Sequence, residues 1–228
     1  LKSMGMLAGG YYDAGKRDLA LPLFEKTLKL SRAKLGNDHP ATLECMDNLA
    51  GAYQVAGKLE LALSIFQEAA LGVEKRGFQD LNSSQIVQGL ITCHEQLKQF
   101  DQAETWRRKW LAEIKNRAGG DSAAYSNELS GLGMNLMQQK KWVDAEAALR
   151  ESLAFGAKQQ PEHLAAFLRQ SLLGGALLSQ KKYADAEPLL LAGYIGMKKL
   201  EAQIPPQGQF RLAEVLDWLI TLYTATDK

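Results

Sequence analysis

The run Gly10-Tyr11-Tyr12-Asp13-Ala14-Gly15-Lys16 has the spacing of a phosphate-binding loop, two glycines five apart with a lysine after the second. Such a loop needs serine or threonine next to hold magnesium, and it joins a strand to a helix. Here Arg17 follows and the pattern on both sides is helical, so the run reads as a helix-turn-helix junction with no bound nucleotide. Trp106-Arg107-Arg108-Lys109-Trp110 mixes aromatic and basic residues as a nucleic-acid patch does. A spacing of four puts both tryptophans on one helix face, and the favoured reading buries them with the cations on the solvated side. His39, His94 and His163 never fall at metal-ligand spacing and Cys93-His94 stands alone, so no metal is expected, and His94 reads as a core residue bonded to backbone. Cys45 and Cys93 lie far apart without a CxxC pattern, which predicts free thiols in a reducing compartment. No carboxylate pair or nucleophile-base arrangement emerges, so the expectation is a protein that is not an enzyme and takes no cofactor.

The totals agree with a binding module. Lysine plus arginine number 27 against 26 for aspartate plus glutamate, so no global field draws the chain to a polyanion or an anionic membrane. No run of eighteen apolar residues occurs and the N-terminal stretch is already helical, which predicts no membrane span, no leader and a cytoplasmic location.

Internal repetition decides the fold class. Leu7, Ala8, Tyr11, Gly15, Ala20 and Phe24 recur 42 residues later as Leu49, Ala50, Tyr53, Gly57, Ala62 and Phe66. Each half of such a unit is an amphipathic helix, and the glycine suits a left-handed helix end. The third unit has drifted: Leu90 and Ile91 keep the pair, His94 replaces the tyrosine and Arg107 stands where phenylalanine is expected. The fourth has Leu132, Gly133, Leu136, Trp142, Ala145 and Leu149, and the fifth Leu173, Gly174, Leu177, Tyr183, Ala186 and Leu190. A last helix offers Leu216, Leu219, Ile220 and Tyr223 as its inner face. Asp38-His39-Pro40 predicts an acidic cap with an early proline, and Gly119-Gly120-Asp121 a stop and a cap. Pro22 and Pro188 read as first-turn prolines. The expectation is one all-α array over 1–228, with repeats at about 1–37, 38–80, 81–120, 121–160 and 161–204 and a half repeat at 207–228, cut from a longer chain.

The leucine and small-residue pair, the tyrosine, the small residue opening the second helix and the aromatic that follows resemble the tetratricopeptide repeat. The 41- to 42-residue period and the connector from Leu35 to Leu43 look like its kinesin-light-chain variety, found also in bacterial multidomain signalling proteins. That resemblance implies a right-handed α-solenoid of antiparallel helix pairs whose first helices line a concave groove for a peptide or partner protein, including another domain of the same polypeptide.

At about 100° per residue, positions 2, 5, 9, 12 and 13 of each first helix fall opposite its core stripe. The candidate groove residues are Lys2, Gly9, Tyr12 and Asp13; then Glu44, Asp47, Asn48, Gly51 and Gln54; then Gln85, Gln88, Thr92 and Glu95. Later units add Asn127, Ser130, Met134 and Met137, then Ser171, Gly175 and Leu178, and the last helix Glu214, Asp217 and Thr221. One lysine among these faces several carboxylates. The lysine-arginine-asparagine set with which some tetratricopeptide domains grip a chaperone's terminal carboxylate is absent here apart from Lys2 and Asn48. The expected ligand is a neutral or basic segment, lying close to the backbone at Gly9, Gly51 and Gly175 and meeting an apolar patch at Met134, Met137 and Leu178. Two alternatives remain: self-association through the array ends, as a monomer or weak homo-oligomer, and nucleic-acid binding by the basic helix near 106–110.

Overall fold

The computed structural model describes residues 1–118, 122–159 and 163–227. Among these, eleven α-helices and two short 3-10 turns account for all regular structure. The chain divides into two compact units, Leu1–Trp106 and Arg107–Lys228.

The first unit contains α1 (Lys2–Asp13), α2 (Arg17–Leu35), α3 (Pro40–Val55), α4 (Leu59–Lys75), α5 (Ser83–Gln96) and the start of α6 (Phe100–Ala118). From α1 to α5 each helix packs on the next, and α3 also meets α1 and α5. Burial follows the repeated stripe: Ala8, Ala20, Phe24, Leu49, Ala50, Tyr53, Ala62 and Phe66 are all in the core. The stripe fails at Leu7, which is 51% exposed beside a still more exposed Met6. Because α1 packs on α2 and α3, its side turned from them keeps these residues in water.

Every turn inside a helix pair uses one left-handed residue. Gly15 and Gly57 have φ +73° and +74°, and Lys98, Lys140 and Lys181 take φ +59°, +60° and +61° at the equivalent positions. The geometry lets the N–H of Gly57 reach the Gln54 carbonyl and that of Lys58 reach the Tyr53 carbonyl, closing the helix end. Caps between pairs differ from expectation. His39, not Asp38, caps α3, its Nδ1 accepting from the Ala41 N–H at 3.1 Å with Pro40 as the first helical residue. The run 119–121 lies outside the described residues, and Ser122 caps α7 through the Tyr125 N–H.

The second unit holds the remainder of α6 with α7 (Ala123–Gln138), α8 (Trp142–Gln159), α9 (Leu164–Ser179), α10 (Tyr183–Lys199) and α11 (Phe210–Thr226). Pro22 and Pro188 are each the sixth residue of their helix, past the turn whose N–H groups lack acceptors, and the helices continue through them. The last helix is rotated from the expected register: Val215, Leu219 and Leu222 are buried, while Leu216 and Ile220 are 42% and 56% exposed. Packing of α11 on both α9 and α10 selects this stripe.

Arg107 is where the sequence most misleads. It was expected on the solvated side, yet it is 8% exposed and its Nη1 donates to Glu128 Oε1 at 2.5 Å. Room comes from Gly131, where a Cβ would lie 2.3 Å from Arg107 Nη1. Phe66 stands one repeat earlier over Gly89, with a Cβ there 2.3 Å from its ring. The guanidinium has taken the phenylalanine slot and brought its counter-ion inside.

Candidate functional site

Within the first unit, the outward residues of α1, α3 and α5 share one surface. Lys2, Glu44 and Asn48 border a cavity of about 340 Å³ with Met6 and Cys45 on its wall. Glu44 also borders a second cavity of about 630 Å³, whose lining includes Gln85, Asp80, Asn82 and the fully exposed Leu81. Glu44 therefore stands between two depressions. Asp47, one turn on, is half-buried. Burial pushes its carboxyl up to about 6; the neighbouring Asn82 amide opposes the rise and the Glu44 charge adds to it.

The other candidates on this unit are spread around that centre. Lys2, Asp13, Asn48 and Gln85 are exposed, and Gly9, Tyr12, Gly51, Gln54, Gln88, Thr92 and Glu95 half-buried. Tyr12 meets the Phe24 ring edge-on, Gln54 donates to Gln96 Oε1 at 3.4 Å, and Thr92 donates to the Gln88 carbonyl. Intramolecular contacts thus already engage several of them.

In the second unit four candidates are closed off. Ser130 is buried, with its hydroxyl 2.8 Å from that of Ser152 on α8. Ser171 is buried under Gly193 of α10, where a Cβ would come within 2.1 Å of its Oγ. Position five of these first helices thus faces the partner helix of the same pair, because small residues there let the two backbones approach. Gly175, expected to lie open beneath a ligand, is covered by the Trp218 ring, and Leu178 is 8% exposed. Asn127 is exposed, and Met134 and Met137 half-buried.

Two arginines that the periodicity did not single out dress this face of α7. Arg169, 7% exposed, donates from Nη2 to Asn127 Oδ1 at 2.6 Å, while its Nε has no partner. Arg211 donates to Met134 Sδ at 3.0 Å and pairs with Glu214 at 2.5 Å. Arg169 sits at position three, outside the assumed outward set, and the rotation of α11 hid Arg211.

The remaining sequence features fall into structural roles. His94 is buried and its Nδ1 lies 2.8 Å from Gln99 Oε1, a side-chain partner in place of the expected backbone one. Cys45 and Cys93 are free thiols, and burial pushes both pKa values up. Among the described residues no group of three His, Cys, Asp or Glu side chains is placed to hold a metal, and no helix is long and apolar enough to cross a membrane. Of the basic run beside the tryptophans only Arg108 and Lys109 are exposed, which removes Arg107 from any nucleic-acid patch.

A sequence profile of the tetratricopeptide repeat matches residues 2–70. Residues 2–70 are tetratricopeptide repeats. The fold extends further: the nearly identical TPR-like repeats of a kinesin light chain from Podosopora anserina superpose with a TM-score of 0.73 over 89% of this chain and 96% of that one, at 20% identity. BtubC from P. vanneervenii gives 0.71 over 88% and 80%, at 18% identity. A Rap protein complexed with Competence and Sporulation Factor gives 0.57 over 98% and 65%, at 12% identity. No curated protein matches in sequence. The all-α helix-pair architecture is therefore that of the tetratricopeptide α-solenoids, a fold that commonly mediates contacts between proteins.

Proposed function

We propose that this protein is a non-catalytic interaction module whose first-unit face, centred on Glu44 and Asp47, binds a neutral or basic segment of a partner protein. The observation that carries this reading is the pair of cavities meeting at Glu44, with the half-buried Asp47 carboxyl beside them. Two depressions on either side of an acid suit an extended chain whose side chains enter them alternately, with a lysine or arginine over the carboxylate. Exposed Asn48 and Gln85 supply groups able to bond a peptide backbone. The Rap protein complex offers a precedent for a bound factor on this fold.

The test is fluorescence polarisation of capped peptides of neutral, basic and acidic composition against the wild-type protein and the Glu44→Lys/Asp47→Lys variant. Basic and neutral peptides bind the wild type, and the variant loses the basic class by about tenfold or more. Unchanged affinity in the variant overturns the reading. A cytoplasmic signalling role, with the ligand in another domain of the same polypeptide, belongs to the same proposal and is tested by crosslinking within the intact parent protein.

A further inference from the structure

One repeat position is held by Leu23, Ile65, Trp106, Ala148 and Leu189, at intervals of 42, 41, 42 and 41 residues. The large members are half-buried or buried, Trp106 to 8% exposure. Ala148 offers a single methyl group. Where its side chain stops, α6, α7 and α8 enclose a cavity of about 380 Å³ within the second unit, floored by Leu111, Leu129, Leu132 and Leu136. The floor is aliphatic and the mouth is charged: Arg108 stands on the α6 wall, and exposed Asp144 and Glu151 on the α8 wall. The two acids are seven residues apart, hence two turns along one side of α8. Glu151 accepts a hydrogen bond from Tyr125 Oη at 2.9 Å, which fixes its carboxylate at the rim.

We infer that this slot receives a large apolar side chain from a partner protein, carried next to a lysine or arginine that meets Asp144 and Glu151. Four repeats fill the equivalent position with leucine, isoleucine or tryptophan of their own, so its native occupant is a side chain of that class. The fourth repeat omits the occupant and lines the slot with Leu136, where the first three repeats carry Tyr11, Tyr53 and His94. Leaving such walls unfilled forfeits dispersion contacts, and an incoming side chain restores them while its basic neighbour meets the acids on the α8 side of the rim, across from Arg108. The slot shares no residue with the face around Glu44 and does not depend on it.

The experiment measures polarisation of a fluorescein-labelled, amidated peptide with one tryptophan between two lysines, against the same peptide with alanine for tryptophan. The receptors are the full chain and its Ala148→Trp and Asp144→Lys variants. Trp106 shows that an indole is accepted at this position, so Ala148→Trp fills the slot from within; its melting temperature should hold or rise. The inference expects the tryptophan peptide to bind at least about tenfold more tightly than the alanine peptide, with that preference lost in Ala148→Trp and weakened in Asp144→Lys. Full binding by Ala148→Trp, or no preference for tryptophan in the wild type, overturns it. Binding of free indole alone, blocked by Ala148→Trp, assigns the slot to a small molecule and also overturns it. So does a concentration-dependent dimer that Ala148→Trp dissolves.

Discussion

Arg107 and Glu128 form a buried pair whose two members depend on each other. Removing only the acid, as in Glu128→Leu, leaves a guanidinium uncompensated in the core and should cost about 3–5 kcal/mol. The double change Arg107→Phe with Glu128→Leu recreates the Phe66 arrangement over Gly131 and should be no less stable than the wild type. Urea denaturation of the two variants checks both statements. Asp47 makes a second prediction at this scale. Its carboxyl titrates near 6 in the folded protein and near 3.8 unfolded, so between those values the folded state binds more protons. Stability contributed by the protonated acid is present below about 4, declines as pH rises toward 6 and is gone above it. Asp47→Asn should therefore stabilise the protein at pH 7.5 and have little effect at pH 4, as read by thermal melting at the two values. Neither behaviour was visible in the sequence. An arginine on an amphipathic stripe reads as solvated, and spacing alone does not bring Asn82, at the start of α5, beside the carboxyl at position 47.

The helix pair is the unit at which sequence and structure agree best, and the turn within it shows why. Gly15 and Gly57 announce a left-handed residue by their type, whereas Lys98, Lys140 and Lys181 hold the same conformation with nothing in their chemistry to advertise it. Only the 41- to 42-residue interval betrays them. A side chain in this region meets the following carbonyl, so Lys140→Gly should stabilise the protein by about 1 kcal/mol and Gly57→Ala destabilise it by about the same amount. Melting curves of the two single variants decide this, with opposite shifts expected. Periodicity also located the buried stripes of α2, α3 and α4, but it failed on α11, where spacing alone cannot choose between two adjacent apolar stripes. Packing on α9 and α10 chose Val215, Leu219 and Leu222.

Contacts are mostly local: within each unit a helix packs chiefly on neighbours one or two places along the chain, with the Arg211–Met134 contact from α11 to α7 reaching further. Stability in such an arrangement is close to a sum of pairwise interfaces. Leu43 is fully buried between α3 and α4, its side chain against Gly72, and Leu43→Ala should cost about 2–5 kcal/mol. Hydrogen exchange should show lost protection concentrated in residues 1–106 and little change in α9 and α10. The close fit of Phe66 over Gly89 and Arg107 over Gly131 also constrains the history open to the chain. Gly89 accepts no methyl group while the Phe66 ring remains above it, so a lineage must first shorten residue 66 and only then enlarge residue 89, whereas at Gly131 the end of Arg107 would have to swing aside from Glu128. The fourth repeat, with Leu149 and Leu172 at the corresponding two places, has the composition expected of a copy that has completed both steps. The first repeat, with Phe24 and Asn48 at those places, keeps its phenylalanine beside a residue larger than glycine, so the ordering belongs to the Phe66 junction and not to every repeat.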